Sequence, residues 1–115
     1  MNSGVVCFTF DDAYFSTMVH APSVFEEAGT RATFYAVPGR VGKSSDWDGE
    51  LARPLADWDL LLSAQSKGHE IGNHSQNHLH LADLDAQEQL AEIRTAHEAL
   101  ENKGLHPPQL LLPLR

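Results

Sequence analysis

The feature that most restricts the fold of this chain is the alternation of short apolar runs with stretches of helical periodicity. Four runs are predicted to be strands, and they occupy residues 4–10, 31–37, 70–73 and 110–112. Three helical stretches separate these strands. A β-α-β-α-β-α-β order predicts an α/β fold of parallel β/α units, in which chemistry gathers at the carboxyl ends of the strands.

Each helical stretch carries residues that typically begin and end a helix. Residues suited to the first turn or the N-cap stand at Pro22, Asp57 and Asp85. Glycines suited to ending these helices follow at Gly29, Gly68 and Gly104. The predicted core faces are Val24, Phe25 and Ala28, then Trp58, Leu61, Leu62 and Gln65, then Leu90, Ile93, His97 and Leu100.

Charge and composition exclude several classes of protein. Sixteen acidic against eight basic residues give a net charge of −8, so the chain lacks the basic surface that nucleic acid requires. No apolar run approaches the roughly 18 residues of a membrane span. No signal peptide is visible, which makes a cytoplasmic location the default expectation. The single cysteine, Cys7, lies in an apolar run and is predicted to be a core residue.

Two short motifs bring metal-ligating residue types to the ends of predicted strands. Asp11 and Asp12 follow the first strand, and His74 and His78 follow the third. On a helical turn, a spacing of four residues would place both imidazoles on the same side. With one carboxylate they make a three-ligand set of the kind that holds a catalytic divalent metal, for which zinc is the first candidate and other divalent metals remain open.

A simpler interpretation of these residues is that they are surface histidines and a solvated acidic turn. Seven histidines in 115 residues produce a pair with this spacing by chance, and an Asp-Asp pair alone is weaker evidence still. The joint position at the ends of neighbouring strands favours a functional site.

The same motifs resemble a known family. The stretch T-F-D-D-A at 9–13, the stretch G-H-E-I-G-N-H-S-Q-N-H at 68–78 and a proline at the last strand end resemble the polysaccharide deacetylases, the NodB-homology domain of carbohydrate esterase family 4. The resemblance implies a distorted (β/α) barrel. It also implies metal-dependent removal of acetyl groups from N-acetylglucosamine-containing poly- or oligosaccharides.

Matched position by position, the resemblance assigns roles to several residues. Asp11 is expected to be the catalytic base. Ser75 is expected to steady the loop by hydrogen bonding, and the backbone N–H of Leu114 to serve the oxyanion. The metal ligands implied are Asp12, His74 and His78.

The chain departs from the family pattern at several positions. Ala13 stands where the family most often has glycine, which is strained if its φ is positive. In the third motif, Leu111 and Arg115 stand where the family usually has arginine and glycine. The family's later motif, which supplies the general acid, has no match here. We therefore expect residues 1–115 to be one NodB-like domain truncated at its C-terminus, and a catalytically incompetent metal- or glycan-binding fragment is the alternative function.

A truncated barrel exposes strand edges, so we expect a homo-oligomer that covers the open side. Trp47, in the long loop over 38–54, is a candidate to stack on a sugar ring, whereas Trp58 lies at helical spacing and is assigned to the core. His69 and His80 flank the histidine motif and are interpreted as exposed residues in preference to supports of the metal ligands.

Overall fold

The computed structural model describes residues 4–108 and 110–113. Its strands are β1 (Thr9–Phe10), β2 (Thr33–Ala36) and β3 (Glu70–Asn73). Its α-helices are α1 (Phe15–Glu27), α2 (Trp58–Ser66) and α3 (Ala86–Asn102). Short 3₁₀ segments cover Pro38–Arg40, Asp46–Leu51 and Leu81–Asp83. The three strands form a parallel sheet in the order β1-β2-β3, which confirms the predicted α/β class.

The register of the sheet brings the ends of its strands to one edge. Thr9 pairs with Thr33 across β1 and β2, and Ala36 pairs with Asn73 across β2 and β3. Because the strands are parallel, the segments that follow them leave the sheet on the same side. The predicted fourth strand is reduced to one parallel bridge between Asn73 and Leu110. The acidic and histidine motifs therefore begin at one edge of the sheet.

The core lies around the central strand. All four residues of β2 are buried, and Phe34 stacks on Phe10 with ring centroids 5.2 Å apart. Helix α2 matches its prediction, because the Asp57 carboxylate accepts a hydrogen bond from the Leu60 N–H at 2.9 Å and Leu61 is fully buried. Other residues buried in this core are Ala64, Ile71, Leu100 and Leu105.

The prediction of a buried first strand over residues 4–10 is wrong. Only Thr9 and Phe10 are in the strand, and residues 4–9 are exposed. Cys7, predicted to be in the core, is exposed as well. The reason is position: β1 is at the edge of the described sheet and pairs only with β2, so its apolar run lacks a second neighbour to cover it.

Helix α1 begins seven residues before the predicted start at Pro22. Its first N–H, from Phe15, donates to the Pro54 carbonyl at 2.9 Å, so the loop before α2 anchors the start of the helix. Pro22 lies inside the helix and is buried together with Met18, whereas Val24 is 60% exposed. The predicted core face of this helix is therefore largely wrong.

Helix α3 has the predicted cap, and Leu100 of its predicted core face is buried as expected. The Asp85 carboxylate accepts a hydrogen bond from the Glu88 N–H at 2.8 Å. The buried residues are Glu92, Ala96 and Leu100, at intervals of four. Leu90 and His97, predicted to face the core, are exposed, because the helix is rotated to turn Glu92 toward the histidine loop.

Large apolar side chains remain exposed in the segment that leads into β1. Val5 is 89% and Val6 73% exposed, and Phe8 is half exposed. The expected homo-oligomer would cover such an edge, and it stays a prediction. In the part of the chain that the structure describes, no helix combines the length and apolar character needed to span a membrane.

Candidate metal centre

Three side chains from the two sequence motifs converge beyond the carboxyl edge of the sheet. The Asp12 Oδ1 atom lies 3.1 Å from His74 Nε2 and 3.1 Å from His78 Nε2. One ligand atom from each residue lies within 4.8 Å of the other two. The structure thus brings Asp12, His74 and His78 together as the sequence predicts, while their role as ligands stays a prediction.

The hydrogen bond of His74 Nδ1 shows which nitrogen of the neutral ring carries the proton. Its Nδ1 lies 2.7 Å from the Leu111 carbonyl oxygen, which can only accept, so the proton of the neutral ring is on Nδ1. The unprotonated Nε2 then lies 3.1 Å from Asp12 Oδ1, an oxygen without a hydrogen-bond partner among the described residues. Two acceptors 3.1 Å apart repel each other unless a cation lies between them, so these residues fit a divalent metal.

Without an ion, protons are drawn to this cluster. Burial lowers the pKa of His74, but the attraction of the protonated ring to the Asp12 carboxylate and its bond to the Leu111 carbonyl outweigh burial, and the net pKa is raised. Burial raises the pKa of Asp12, but His74 and His78, which attract the carboxylate when they are protonated, outweigh burial and hold the pKa well below its usual range. The opposite shifts show that the site favours a positive charge beside Asp12.

The two histidines meet through a loop, which corrects the prediction of a helical turn. Ser75 and His78 have φ values of 71° and 57°, in the left-handed region. The Ser75 hydroxyl accepts a hydrogen bond from the His78 N–H at 3.2 Å, and the Ser75 N–H donates to the Asn73 side chain at 2.8 Å. Ser75 is completely buried, so its contacts are those of a residue that fixes the loop.

The aspartate motif is also left-handed. Asp12 has φ 75° and Ala13 has φ 52°, and these two with Ser75 and His78 are the non-glycine residues of positive φ in the described chain. The condition under which Ala13 is strained is therefore met. The Ala13 carbonyl accepts a hydrogen bond from the Ala56 N–H at 3.0 Å, which ties the strained turn to the segment before α2.

Two residues that the sequence did not single out hold the loop between the histidines. The Glu92 carboxylate accepts hydrogen bonds from the Asn77 N–H and side-chain amide, both at 2.9 Å. The Gly39 N–H donates to the Gln76 carbonyl at 2.8 Å, and a Cβ at Gly39 would collide with that oxygen. A glutamate within the helical pattern at residue 92 and a glycine after Pro38 are weak signals, because they gain meaning only from distant contacts.

The second oxygen of Asp12 has different neighbours. Its Oδ2 atom lies 3.1 Å from the Tyr14 hydroxyl and 3.3 Å from the Trp47 indole nitrogen. Tyr14 also reaches Asp48 Oδ2 at 2.6 Å. Burial, the hydrogen bond to Asp48 and the negative charge of Asp12 all raise the pKa of the Tyr14 phenol. Tyr14 is therefore a permanent donor at neutral pH.

Trp47, the predicted sugar-stacking residue, lies at the metal centre. Its ring stacks on His78 with centroids 4.1 Å apart and an angle of 9° between the planes. It also borders a cavity of about 390 Å³ beside His78, lined by Arg40, Asp46, Trp47, Asn77, His78 and Leu79. The Trp47 side chain thus contacts Asp12 and His78 within the protein, and its contact with a sugar stays a prediction.

Asp11, the expected catalytic base, is exposed beside the three converging residues. Its negative charge is one of the causes that raise the pKa of His74 and of Tyr35, which places it within electrostatic reach of both. Leu114, the expected oxyanion residue, and Arg115 lie outside the described residues.

His69, His80 and Trp58 are not among the three converging residues. His69 was expected to be exposed, but it is 2% exposed and pairs with Glu26 and the Ala32 N–H at the other end of β3. His80 is exposed, with Nδ1 3.8 Å from Asp83. Trp58 packs against the core cluster as expected.

Comparison with known proteins gives one consistent result. The family model described as polysaccharide deacetylase matches residues 1–113. A curated relative, a probable peptidoglycan-N-acetylglucosamine deacetylase of Arthroderma benhamiae, is 23% identical over 112 residues, which are 96% of this chain and 23% of the relative.

Solved structures share the fold. The Streptococcus pyogenes deacetylase PplD superposes with a TM-score of 0.77 at 18% identity, over 95% of this chain and 46% of that one. The peptidoglycan deacetylase PdaC of Bacillus subtilis superposes with a TM-score of 0.74 at 26% identity, over 97% and 50%. IcaB of Ammonifex degensii superposes with a TM-score of 0.77 at 20% identity, over 98% and 52%. The chain therefore spans about half the length of these solved chains.

Proposed function

Because this chain belongs to the polysaccharide deacetylase family, we propose that it takes part in the hydrolysis of N-acetyl groups on N-acetylglucosamine-containing poly- or oligosaccharides. The proposed cofactor is one divalent metal ion, with zinc as the first candidate. The proposed ligands are Asp12, His74 and His78. We also propose that residues 1–115 all belong to one NodB-like domain.

The observation that carries the proposal is the convergence of Asp12 Oδ1 with two imidazole nitrogens, of which Nε2 of His74 is unprotonated in the neutral ring. That oxygen is buried, has no donor among the described residues, and lies 3.1 Å from the Nε2 atoms of both His74 and His78. Buried polar atoms are normally satisfied, so an unsatisfied one at the meeting point of two imidazoles supports a cation site.

The ligand set leaves room for a reaction. A divalent cation held by three protein side chains would supply the charge that acidifies a water molecule and polarises an amide carbonyl. Asp11 is the proposed base, because it is adjacent in sequence to Asp12 and is exposed to the solvent from which substrate arrives. Its carboxylate would accept the proton of the attacking water.

The cavity beside His78 gives the proposal a place for the sugar. The polar side chains of Arg40, Asp46 and Asn77 and the apolar side chain of Leu79 line a volume of about 390 Å³. A site with convergent polar groups beside a reactive centre is the usual arrangement for a small ligand or one unit of a polymer. The curated relative is named for peptidoglycan N-acetylglucosamine, which supports the same class of substrate here.

The test measures acetate release and bound metal on the same purified sample. An N-acetylglucosamine oligomer is the substrate, and an aryl acetate ester is used in parallel because its leaving group needs no proton. We expect Asp11→Asn to keep one metal ion per chain and to lose activity by about 10²- to 10⁴-fold, the usual contribution of a general base. His78→Ala is the matched control and should lose the metal.

Three outcomes separate the parts of the proposal. Unchanged activity in Asp11→Asn would reject Asp11 as the base. Stoichiometric metal in His78→Ala would reject the ligand set. Bound metal without release of acetate from either substrate would reduce the function of these 115 residues to metal or glycan binding.

A further inference from the structure

The two oxygens of the Asp12 carboxylate lie in different surroundings. Oδ1 faces the two imidazoles and has no donor among the described residues, whereas Oδ2 faces the Tyr14 hydroxyl and the Trp47 indole N–H. A carboxylate with both oxygens free can rotate about its last bond and can bind a metal through one oxygen or two. Here the donors at Oδ2 oppose that rotation.

Of the two donors near Asp12 Oδ2, only Trp47 has a proton that it does not share with another carboxylate. The Tyr14 hydroxyl has one proton and two carboxylate neighbours, at 2.6 Å from Asp48 and 3.1 Å from Asp12. The shorter contact takes most of that proton, since a hydrogen bond weakens with distance. The indole N–H of Trp47 is only a donor, so it gives Oδ2 a bond that does not depend on sharing.

The same tryptophan restricts a second proposed ligand. Its ring lies 4.1 Å from the His78 ring and nearly parallel to it, so His78 cannot turn out of that plane without losing the contact. His78 Nδ1 is buried and has no hydrogen-bond partner among the described residues, so no polar contact of Nδ1 fixes this ring. The stack on Trp47, together with the edge-on contact of the His74 ring at a centroid distance of 4.9 Å, therefore orients His78.

We propose that Trp47 is a positioning residue of the metal site, which holds Asp12 through its N–H and His78 through its ring. Tyr14 and Asp48 complete the support, because they close the loop that carries Trp47 onto the aspartate turn. The inference rests on the proposed function, since it assumes that Asp12 and His78 are ligands. It differs from sugar stacking, which would act on substrate affinity and leave the metal unaffected.

Three substitutions in the full chain separate the contacts. Trp47→Phe keeps an aromatic ring against His78 and removes the N–H. Trp47→Leu removes both contacts, and Tyr14→Phe removes only the hydroxyl. Zn²⁺ affinity is measured by competition with a chelator, and the visible spectrum of bound Co²⁺ reports the symmetry of the ligand set. Trp58→Phe is the control, because the chain has two tryptophans and Trp58 lies in the core.

We expect Zn²⁺ affinity to fall by about 10-fold in Trp47→Phe and by up to about 100-fold in Trp47→Leu, the range seen for residues that support metal ligands. The Co²⁺ spectrum should change in both variants and stay the same in Trp58→Phe. On the oligosaccharide, kcat should fall while KM changes little. In the Trp58→Phe protein, Zn²⁺ should alter the fluorescence of Trp47, because the ring stacked on it becomes a ligand.

Contrary outcomes are distinct. Parental Zn²⁺ affinity and an unchanged Co²⁺ spectrum in Trp47→Leu would overturn this inference alone. If KM also rose in that variant while metal binding stayed unchanged, Trp47 would be assigned to the sugar. A lower melting temperature with an unaltered Co²⁺ spectrum would reduce Trp47 to a structural role. An unsubstituted chain that binds neither ion would overturn the proposed function and this inference together.

Discussion

The two ends of strand β3 each place a buried histidine beside a carboxylate, and the two pairs are chemically opposite. At the amino end, His69 Nδ1 accepts a hydrogen bond from the Ala32 N–H at 3.2 Å, so its proton is on Nε2, which lies 3.2 Å from the Glu26 carboxylate. At the carboxyl end, His74 donates from Nδ1 to the Leu111 carbonyl, and its unprotonated Nε2 lies 3.1 Å from Asp12 Oδ1. The first pair is complete within the protein, and the second is not.

This difference separates a structural histidine, His69, from the proposed metal ligand His74 without reference to sequence motifs. Both rings are buried and both face an acid, so burial and pairing alone do not distinguish them. What distinguishes them is the number of protons. The His69 pair has a donor for each acceptor, while the His74 pair has more acceptors than donors and gains from a cation.

The strongest test of the comparison replaces each of the two histidines by alanine and measures bound metal and stability. We expect His74→Ala to abolish stoichiometric binding of metal, because one of three proposed ligands is gone. We expect His69→Ala to leave one metal per chain and to lower the free energy of unfolding by about 1–3 kcal/mol, the cost of leaving the buried Ala32 N–H without its acceptor. Metal analysis and chemical denaturation of both variants check this. Loss of metal in His69→Ala, with the protein folded, would break the comparison.

A smaller effect on metal binding is expected from a substitution in helix α3, which supports the loop at the carboxyl end of β3. Glu92→Gln places an amide where Asn77 now gives two hydrogen bonds to a carboxylate, so one donor faces another donor. We expect Zn²⁺ affinity to fall about 10-fold, because the loop between the two ligands loosens while the ligands remain. Titration of the variant with Zn²⁺ checks this. Exposed Glu98 on the same helix offers a matched control, since Glu98→Gln should bind Zn²⁺ like the unsubstituted chain.

The smallest effect is a dependence on pH that changes sign with metal. In the metal-free protein the pKa of His74 is raised, so its contribution to stability is complete below about pH 6.5, the unfolded pKa, and is lost as pH rises through the folded pKa. Metal requires the unprotonated ring, so stabilisation by Zn²⁺ should grow over the same interval. Melting temperatures from pH 6 to 8, with Zn²⁺ or with a chelator, should diverge. Parallel curves would contradict the assignment of His74 as a ligand.

The sequence predicts the parts of the fold that depend on neighbours along the chain. The limits of β3 and the cap of α2 at Asp57 agree with the structure, because a short strand and an N-cap are local features. The exposure of residues 4–9 is not predictable in this way, since burial of a strand depends on what lies on both sides of it. The rotation of α3 is missed for a similar reason, because a buried glutamate looks polar until its partner at Asn77 is known.

The same division holds at the candidate site. The meeting of Asp12, His74 and His78 follows from two motifs at the ends of parallel strands, and their strand order is readable from the chain. Trp47 and Asp12 are 35 residues apart in the sequence, and neither periodicity nor propensity specifies where the loop that carries Trp47 returns. The residues that meet at the site are therefore easier to predict than the residues that hold them there.

The four left-handed residues at the site have a consequence for any attempt to stabilise this protein. At Asp12, Ser75 and His78 the backbone has a positive φ, which glycine adopts with less strain. The proposed chemistry and the loop contacts nevertheless use the side chains that are present. A laboratory selection for thermal stability alone would favour glycine at these positions. It would remove the proposed metal site while it raised the melting temperature. Variants of this chain that melt at higher temperature should therefore be screened for metal content before they are called improved.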